Sequence, residues 1–202
     1  MQSLARSPLL RSPDGQSVAW SVATYQATPE AVRGQLFIRD LRTGREEIIL
    51  RSRPAQPGTP VRPPDVRQVQ AYHAFCPVDW SSDSRLLLVQ EIMGEMHSNV
   101  AWDYVWIYDR GRRHGVRLDP QPLRDALTSY WRKKGVKVEQ IWVYLDAHGW
   151  EAEGSKRIVF HADSHELFLG VWSVSLAGRD PKLLAEQEGG FVVKRFGKEV
   201  QE

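Results

Sequence analysis

Two histidines bracket an acid in His161-Ala162-Asp163-Ser164-His165. In a strand, positions i, i+2 and i+4 share a face, so this spacing is one that a metal ion can use. Asp163-Ser164 falls where a hairpin turn is expected, however, and a turn breaks the alternation. No second cluster completes a coordination shell, so neither a metal nor a cofactor is expected. His73 and Cys76 suggest thiol chemistry. They lie three residues apart on or just after one predicted strand and point to opposite faces, whereas a thiol nucleophile needs its base in contact and a third group to orient it. The chain has no Gly-x-Ser-x-Gly elbow, no His-Glu-x-x-His pair and no phosphate-cradling glycine loop. These absences favour a protein that is not an enzyme, with no catalytic residue assigned. The better-equipped stretch holds Glu95, His97 and Asn99, followed by Trp102 and Asp103. Acids, an amide, an imidazole and an indole together suit a peptide, a sugar or an ion. We expect them on a long loop, residues 93–101, beside a similar loop at 24–35. Loops held by a rigid frame are where binding groups concentrate.

The frame is a repeat. Ser12-Pro13-Asp14-Gly15-Gln16-Ser17-Val18-Ala19-Trp20 is echoed by Ser81-Ser82-Asp83-Ser84-Arg85-Leu86-Leu87-Leu88-Val89, and Leu36-Phe37-Ile38-Arg39-Asp40 by Val105-Trp106-Ile107-Tyr108-Asp109. Both echoes are 69 residues apart, so one structural unit is used twice. A weaker third copy follows, in Trp150-Glu151-Ala152-Glu153-Gly154 and Val171-Trp172-Ser173-Val174. Units of this size stack on their neighbours to bury their apolar faces.

Each copy reads as four short strands. The first precedes the Ser-x-Asp turn, at 66–75 and 138–145 in the second and third copies. The second runs over 18–23, 86–92 and 158–161; the third over 36–41, 102–109 and 167–175; the fourth over 47–50, 116–118 and 182–184. Leu86-Leu87-Leu88-Val89 is apolar on both faces and must lie between two layers. The fold class is therefore all-β, a β-propeller-like array of three four-stranded antiparallel blades, in a single domain over 1–202 with blades at about 3–50, 66–118 and 138–185. Ser12-Pro13-Asp14-Gly15 before an apolar strand, then Leu36 to Gly44 as Leu-Phe-Ile-x-Asp-Leu-x-Thr-Gly, resembles the TolB-type propeller repeat. The Pro-Asp-Gly is lost in the second copy, and Ser175 replaces the strand-ending Asp in the third. The resemblance implies a propeller fold and a periplasmic setting. It says little about activity, because such repeats serve scaffolds, binding proteins and the non-catalytic parts of peptidases.

Two segments interrupt the repeat. Residues 51–65 carry Pro54, Pro57, Pro60, Pro63 and Pro64 and read as an extended connector. Residues 120–134 read as a helix: Asp119 caps it, Pro120 suits its first turn, and Leu123, Ala126, Leu127, Tyr130 and Trp131 form one apolar stripe. Arg132-Lys133-Lys134 complements the negative end of its dipole.

The chain has 202 residues, a net charge of +2 and one cysteine, so no intrachain disulfide is possible. Its dense basic stretches, Arg51-Ser52-Arg53, Arg110-Gly111-Arg112-Arg113 and the helix end, fall at separate turns and element ends. No continuous basic face results, and no nucleic-acid partner is expected. No apolar run approaches the roughly 20 residues of a membrane span, and Met1-Gln2-Ser3-Leu4-Ala5-Arg6 holds no signal-peptide apolar core. The function expected is a non-catalytic module for protein binding or assembly. The alternatives are an accessory or relic propeller domain of a peptidase-type hydrolase, or carbohydrate binding through exposed Trp. Three blades leave apolar end faces. A strand at 190–196 is expected either to cap them within the chain or to join two chains as a homodimer; a longer native protein is the third possibility.

Overall fold

The computed structural model describes residues 4–27, 30–52, 71–95, 101–138, 142–154, 156–164 and 167–200. The Pro-rich connector from residue 53 onward, and His97, Asn99 and His165, lie outside them. Three antiparallel meanders follow one another. In the first, β1 (Leu4–Arg6) and β2 (Leu9–Arg11) are two halves of one strand, interrupted at Ser7-Pro8, and both pair with β3 (Ser17–Ala27). Pro8 has no N–H to give a ladder. β4 (Glu30–Asp40) and β5 (Glu46–Arg51) complete it. The second is β6 (Ala71–Trp80), β7 (Leu86–Glu95), β8 (Ala101–Asp109) and β9 (His114–Arg117). α1 (Gln121–Lys133) leads to the third: β10 (Tyr144–Trp150), β11 (Arg157–Asp163), β12 (Phe168–Ser175) and β13 (Lys182–Ala185). β14 (Lys198–Val200) returns to β2.

The first two meanders and β14 are one ten-stranded sheet, because Ala31–Arg33 of β4 pairs in parallel with Ala71–His73 of β6. This merging was not expected. It needs Gly34: a Cβ there would lie 2.8 Å from the His73 carbonyl oxygen.

The repeat is visible in the turns. Ser12 Oγ donates to Asp14 Oδ1 at 2.6 Å and accepts from Ser17 N at 3.0 Å. Ser81 Oγ donates to Asp83 Oδ1 at 2.6 Å and accepts from Leu86 N at 2.8 Å. Gly15 and Ser84 take φ of 70° and 60°. In the third turn Glu151 stands in place of the serine and pairs with Arg157 at 2.9 Å. The three turns touch in series: Asp14 N donates to Ser84 Oγ at 2.8 Å, and Gly154 N to Ser82 Oγ at 3.1 Å.

Two apolar cores result. Ala19, Leu36, Ile38, Phe75, Trp80, Leu87 and Val89 fill the space between the first and second meanders. Leu88, Ile107, Leu145, Trp150, Ile158 and Phe160 fill that between the second and third. The Leu86–Val89 run thus faces both cores, as its pattern requires. α1 lies where expected; Leu123 and Leu127 are buried, and Ala126, Tyr130 and Trp131 pack on the second core. Asp119 Oδ1 accepts the Gln121 N–H at 3.0 Å.

Several boundaries differ from expectation. The supposed loop at 24–35 is mostly a long hairpin, since Thr24–Ala27 continue β3 and Glu30–Gln35 begin β4. The loop at 93–101 is shorter, with β7 reaching Glu95 and β8 starting at Ala101. The first strands of the second and third meanders run on to Trp80 and Trp150 rather than ending at 75 and 145. The C-terminal strand is Lys198–Val200, not 190–196; in the latter stretch only Lys194 makes a bridge, to Trp150. Ladder pairing with β2 takes precedence over the apolar content of Phe191-Val192-Val193.

Candidate functional site

The seam between β8 and the third meander gathers the polar groups. Asp103, from β8, is buried to 9% exposure with its flanking Val105 in the second core. Gln90 of β7 hydrogen-bonds Asp103, donates from Nε2 to the Leu145 carbonyl at 3.2 Å and accepts the Ala147 N–H on Oε1 at 3.0 Å. One amide thus couples β7, β8 and β10. Arg124 of α1 reaches the same seam, its Nη1 donating to the Val143 carbonyl at 3.1 Å. Burial, with the charges of Asp146 and Asp163 beside it, pushes the Asp103 carboxyl up to about 6 against the pull of Gln90 and Arg124. Burial lowers the Arg124 guanidinium and raises the Tyr72 and Tyr144 phenols, the latter two also feeling Asp103. Below Asp103 is a cavity of about 20 Å³, lined by Val105, Leu118, Leu123, Leu145 and Phe160.

Aromatic residues flank Asp103 along the chain. Trp102 meets Trp142 edge-on, with centroids 6.2 Å apart, and Trp142 is 42% exposed. Of the five residues singled out from sequence, Trp102 and Asp103 are neighbours on β8 with side chains on opposite faces, Trp102 toward Trp142 and Asp103 among the buried polar groups. Glu95 ends β7, and His97 and Asn99 lie outside the described residues. Sequence reasoning missed Gln90, Arg124, Trp142 and Asp146. The signal available for Asp146 was register, since it pairs with His161 across β10 and β11.

Two histidine arrangements lie elsewhere. His161 lies within β11, which continues through Asp163, so the turn expected at Asp163-Ser164 starts one residue later, with Ser164 N donating to the Leu167 carbonyl at 2.8 Å. It stacks on His148, the extra residue of a bulge in β10, at 3.6 Å between centroids and 19° between planes. Burial, then the partner ring, then Arg195, lowers His148 to about 4; burial lowers His161 as well, against Asp146 and Asp163. His73 Nε2 donates to Glu91 Oε1 at 2.5 Å, and Trp106 Nε1 donates to Glu91 Oε2 at 2.6 Å. This buried carboxylate joins β6, β7 and β8 and turns His73 toward Glu91 rather than Cys76. Among the described residues, no group of three or more His, Cys, Asp or Glu side chains is placed to hold a metal ion. Nor is any helix there long and apolar enough to cross a membrane.

No family model matches the chain, and no curated protein matches it. Among solved structures it is similar to TolB from Acinetobacter baumannii, with a TM-score of 0.46 and 14% identity over 89% of this chain and 32% of that one. It is also similar to an oligogalacturonate lyase in complex with manganese, with a TM-score of 0.35 and 10% identity over 88% of this chain and 52% of that one. The chain thus spans about a third and about half of those two proteins.

Proposed function

We propose that this chain is a non-catalytic, propeller-type binding module whose three meanders act as TolB-like blades, and whose partner is a protein. The matched hydrogen bonds of the Ser-x-Asp turns support the blade reading. The observation that carries the binding reading is the aromatic pair beside this seam: exposed Trp142 edge-on to Trp102, the neighbour of Asp103 along β8. Indoles give large rigid contact area at little cost in side-chain freedom. A lysine or arginine of the partner meets an aromatic face here and feels the negative charge of Asp103 across the strand.

Titration with a lysine-containing peptide, followed by tryptophan fluorescence, tests this. Trp142→Ala and Asp103→Asn should each weaken binding by about tenfold or more. The exposure of Trp142 also favours a second reading, stacking of the indole on a sugar ring. An oligosaccharide that moves the same fluorescence, while the peptide leaves it unchanged, selects that reading. No response to either removes the seam as a binding site. Assembly as a homodimer is part of the proposal, and light scattering at micromolar concentration should report about twice the chain mass.

A further inference from the structure

A second surface lies away from the aromatic seam. Among the described residues, β9 closes one end of the ten-stranded sheet, and β5 is joined to that sheet only by β4. Between them opens a groove of about 310 Å³ lined by Glu47, Leu50, Tyr108, Arg113, His114 and Gly115. Residues 110–117 read Arg-Gly-Arg-Arg-His-Gly-Val-Arg, four arginines and a histidine without an acid. Arg110 is held by Asp14 at 2.7 Å, and Arg113 by Glu47. Arg112 has only a 3.8 Å approach to Asp109, which Arg85 already engages at 2.8 Å. Arg117 lies over the Tyr104 ring, 4.5 Å from its centroid. After these pairings the strand keeps positive charge in excess.

The ladder fixes what this edge, unpaired among the described residues, offers. Leu118 N donates to the Val105 carbonyl at 2.8 Å, and Ile107 pairs with Val116 two residues on. By the alternation of antiparallel bonding, Val116 N–H faces β8, while the N–H groups of Gly115 and Arg117 face outward. Val116 is 52% exposed. Charge on an edge strand commonly serves to repel other strands. An edge built only to repel has no use for a half-exposed valine between its cations.

We propose that β9 is a strand-addition site, taking an extended segment of a protein partner in which acidic and apolar residues alternate. The acids of that segment meet Arg112 and Arg117, its apolar side chains cover Val116, and its backbone bonds the outward N–H groups. The groove against β5 gives the acidic side chains room.

A fluorescein-labelled peptide of alternating Glu and Val, followed by anisotropy, tests this without touching the seam around Trp142, so either reading can fail alone. The Glu-Val peptide should bind and weaken as salt rises, and its Lys-Val counterpart should not bind. Arg117→Gln keeps the N–H and should weaken binding about two- to fivefold. Arg117→Pro removes an outward N–H but no bond to β8, and should abolish binding while the unfolding midpoint stays close to that of the parent. A Glu-Val peptide N-methylated at every backbone nitrogen keeps the charge and loses the backbone donors, and should also fail to bind. Equal binding of the N-methylated peptide, or of a single-stranded oligonucleotide at the same charge, reduces the surface to general polyanion attraction and overturns the proposal. No binding of the Glu-Val peptide overturns it too.

Discussion

Trp80 and Trp150 occupy matching places in successive meanders but use their indole N–H groups differently. Trp80 Nε1 donates to the Leu10 carbonyl at 3.0 Å. Trp150 Nε1 is buried without a partner, the one such side-chain atom found among the described residues. An unsatisfied buried donor costs about 1–3 kcal/mol, whereas a made hydrogen bond contributes about 1 kcal/mol. The same substitution should therefore differ at the two sites. Trp80→Phe removes ring volume, a bond, and the partner of a buried carbonyl. Trp150→Phe removes similar volume but also relieves an orphan donor. Urea unfolding should show Trp80→Phe the more costly by about 1–3 kcal/mol; equal costs would mean that Trp150 has a partner in solution.

At the scale of elements, the turns and the helix were legible in the sequence because their signals are local. Ser12 with Asp14, and Ser81 with Asp83, carry their own hydrogen bonds, and the α1 stripe is a single 3.6-residue period. The long β3–β4 hairpin was read as a loop because polar Thr24, Gln26 and Glu30 hide the strand pattern at its tip. The β4–β6 pairing spans three residues drawn from distant parts of the chain, and its trace in the sequence is one glycine. Within the site, Trp102 and Asp103 could be found because acid and aromatic types fall together. Gln90 and Arg124 could not, since each arrives from another element and looks like an ordinary polar residue. Two substitutions separate these contributions. Leu127, at 1% exposure, should cost about 2–5 kcal/mol as Leu127→Ala, because the cavity is walled by a sheet that cannot collapse. Gly34→Ala drives a Cβ onto the backbone of β6 and should cost about 1–3 kcal/mol. Its loss should appear as faster amide exchange in β4 and β6 before global unfolding.

Across the whole molecule, the C-terminal segment touches the first strand of every meander. Lys194 bridges Trp150 of β10, Phe196 N and Gly197 N donate to Asp79 of β6 at 3.1 and 2.8 Å, and β14 pairs with β2. The tail thus pairs within its own chain. Asp79 is fully buried, and burial raises its carboxyl to about 6 despite the hydrogen bonds from Gly197, Phe196 and Trp80. Its folded pKa lies above the ordinary 3.8. The folded state therefore holds the proton more tightly, and this contribution is full below about 3.8 and lost as pH rises through about 6. His148 acts oppositely. Lowered from 6.5 to about 4, it favours the fold above about 6.5 and ceases to do so as pH falls through about 4. The two act in opposite directions over the same pH range, so variants must separate them. His148→Asn should gain melting temperature relative to the parent as pH falls from 7 to 4.5, and Asp79→Asn should lose it. Deleting residues 194–202 removes both tail donors to Asp79 as well as the β14 ladder, and should cost about 3 kcal/mol or more at pH 7. The deletion also opens Asp79 to water, so the acid-side gain that Asp79 gives the parent should vanish with it. A deleted chain that keeps both its midpoint and its pH profile would show that the three first strands hold together without the tail.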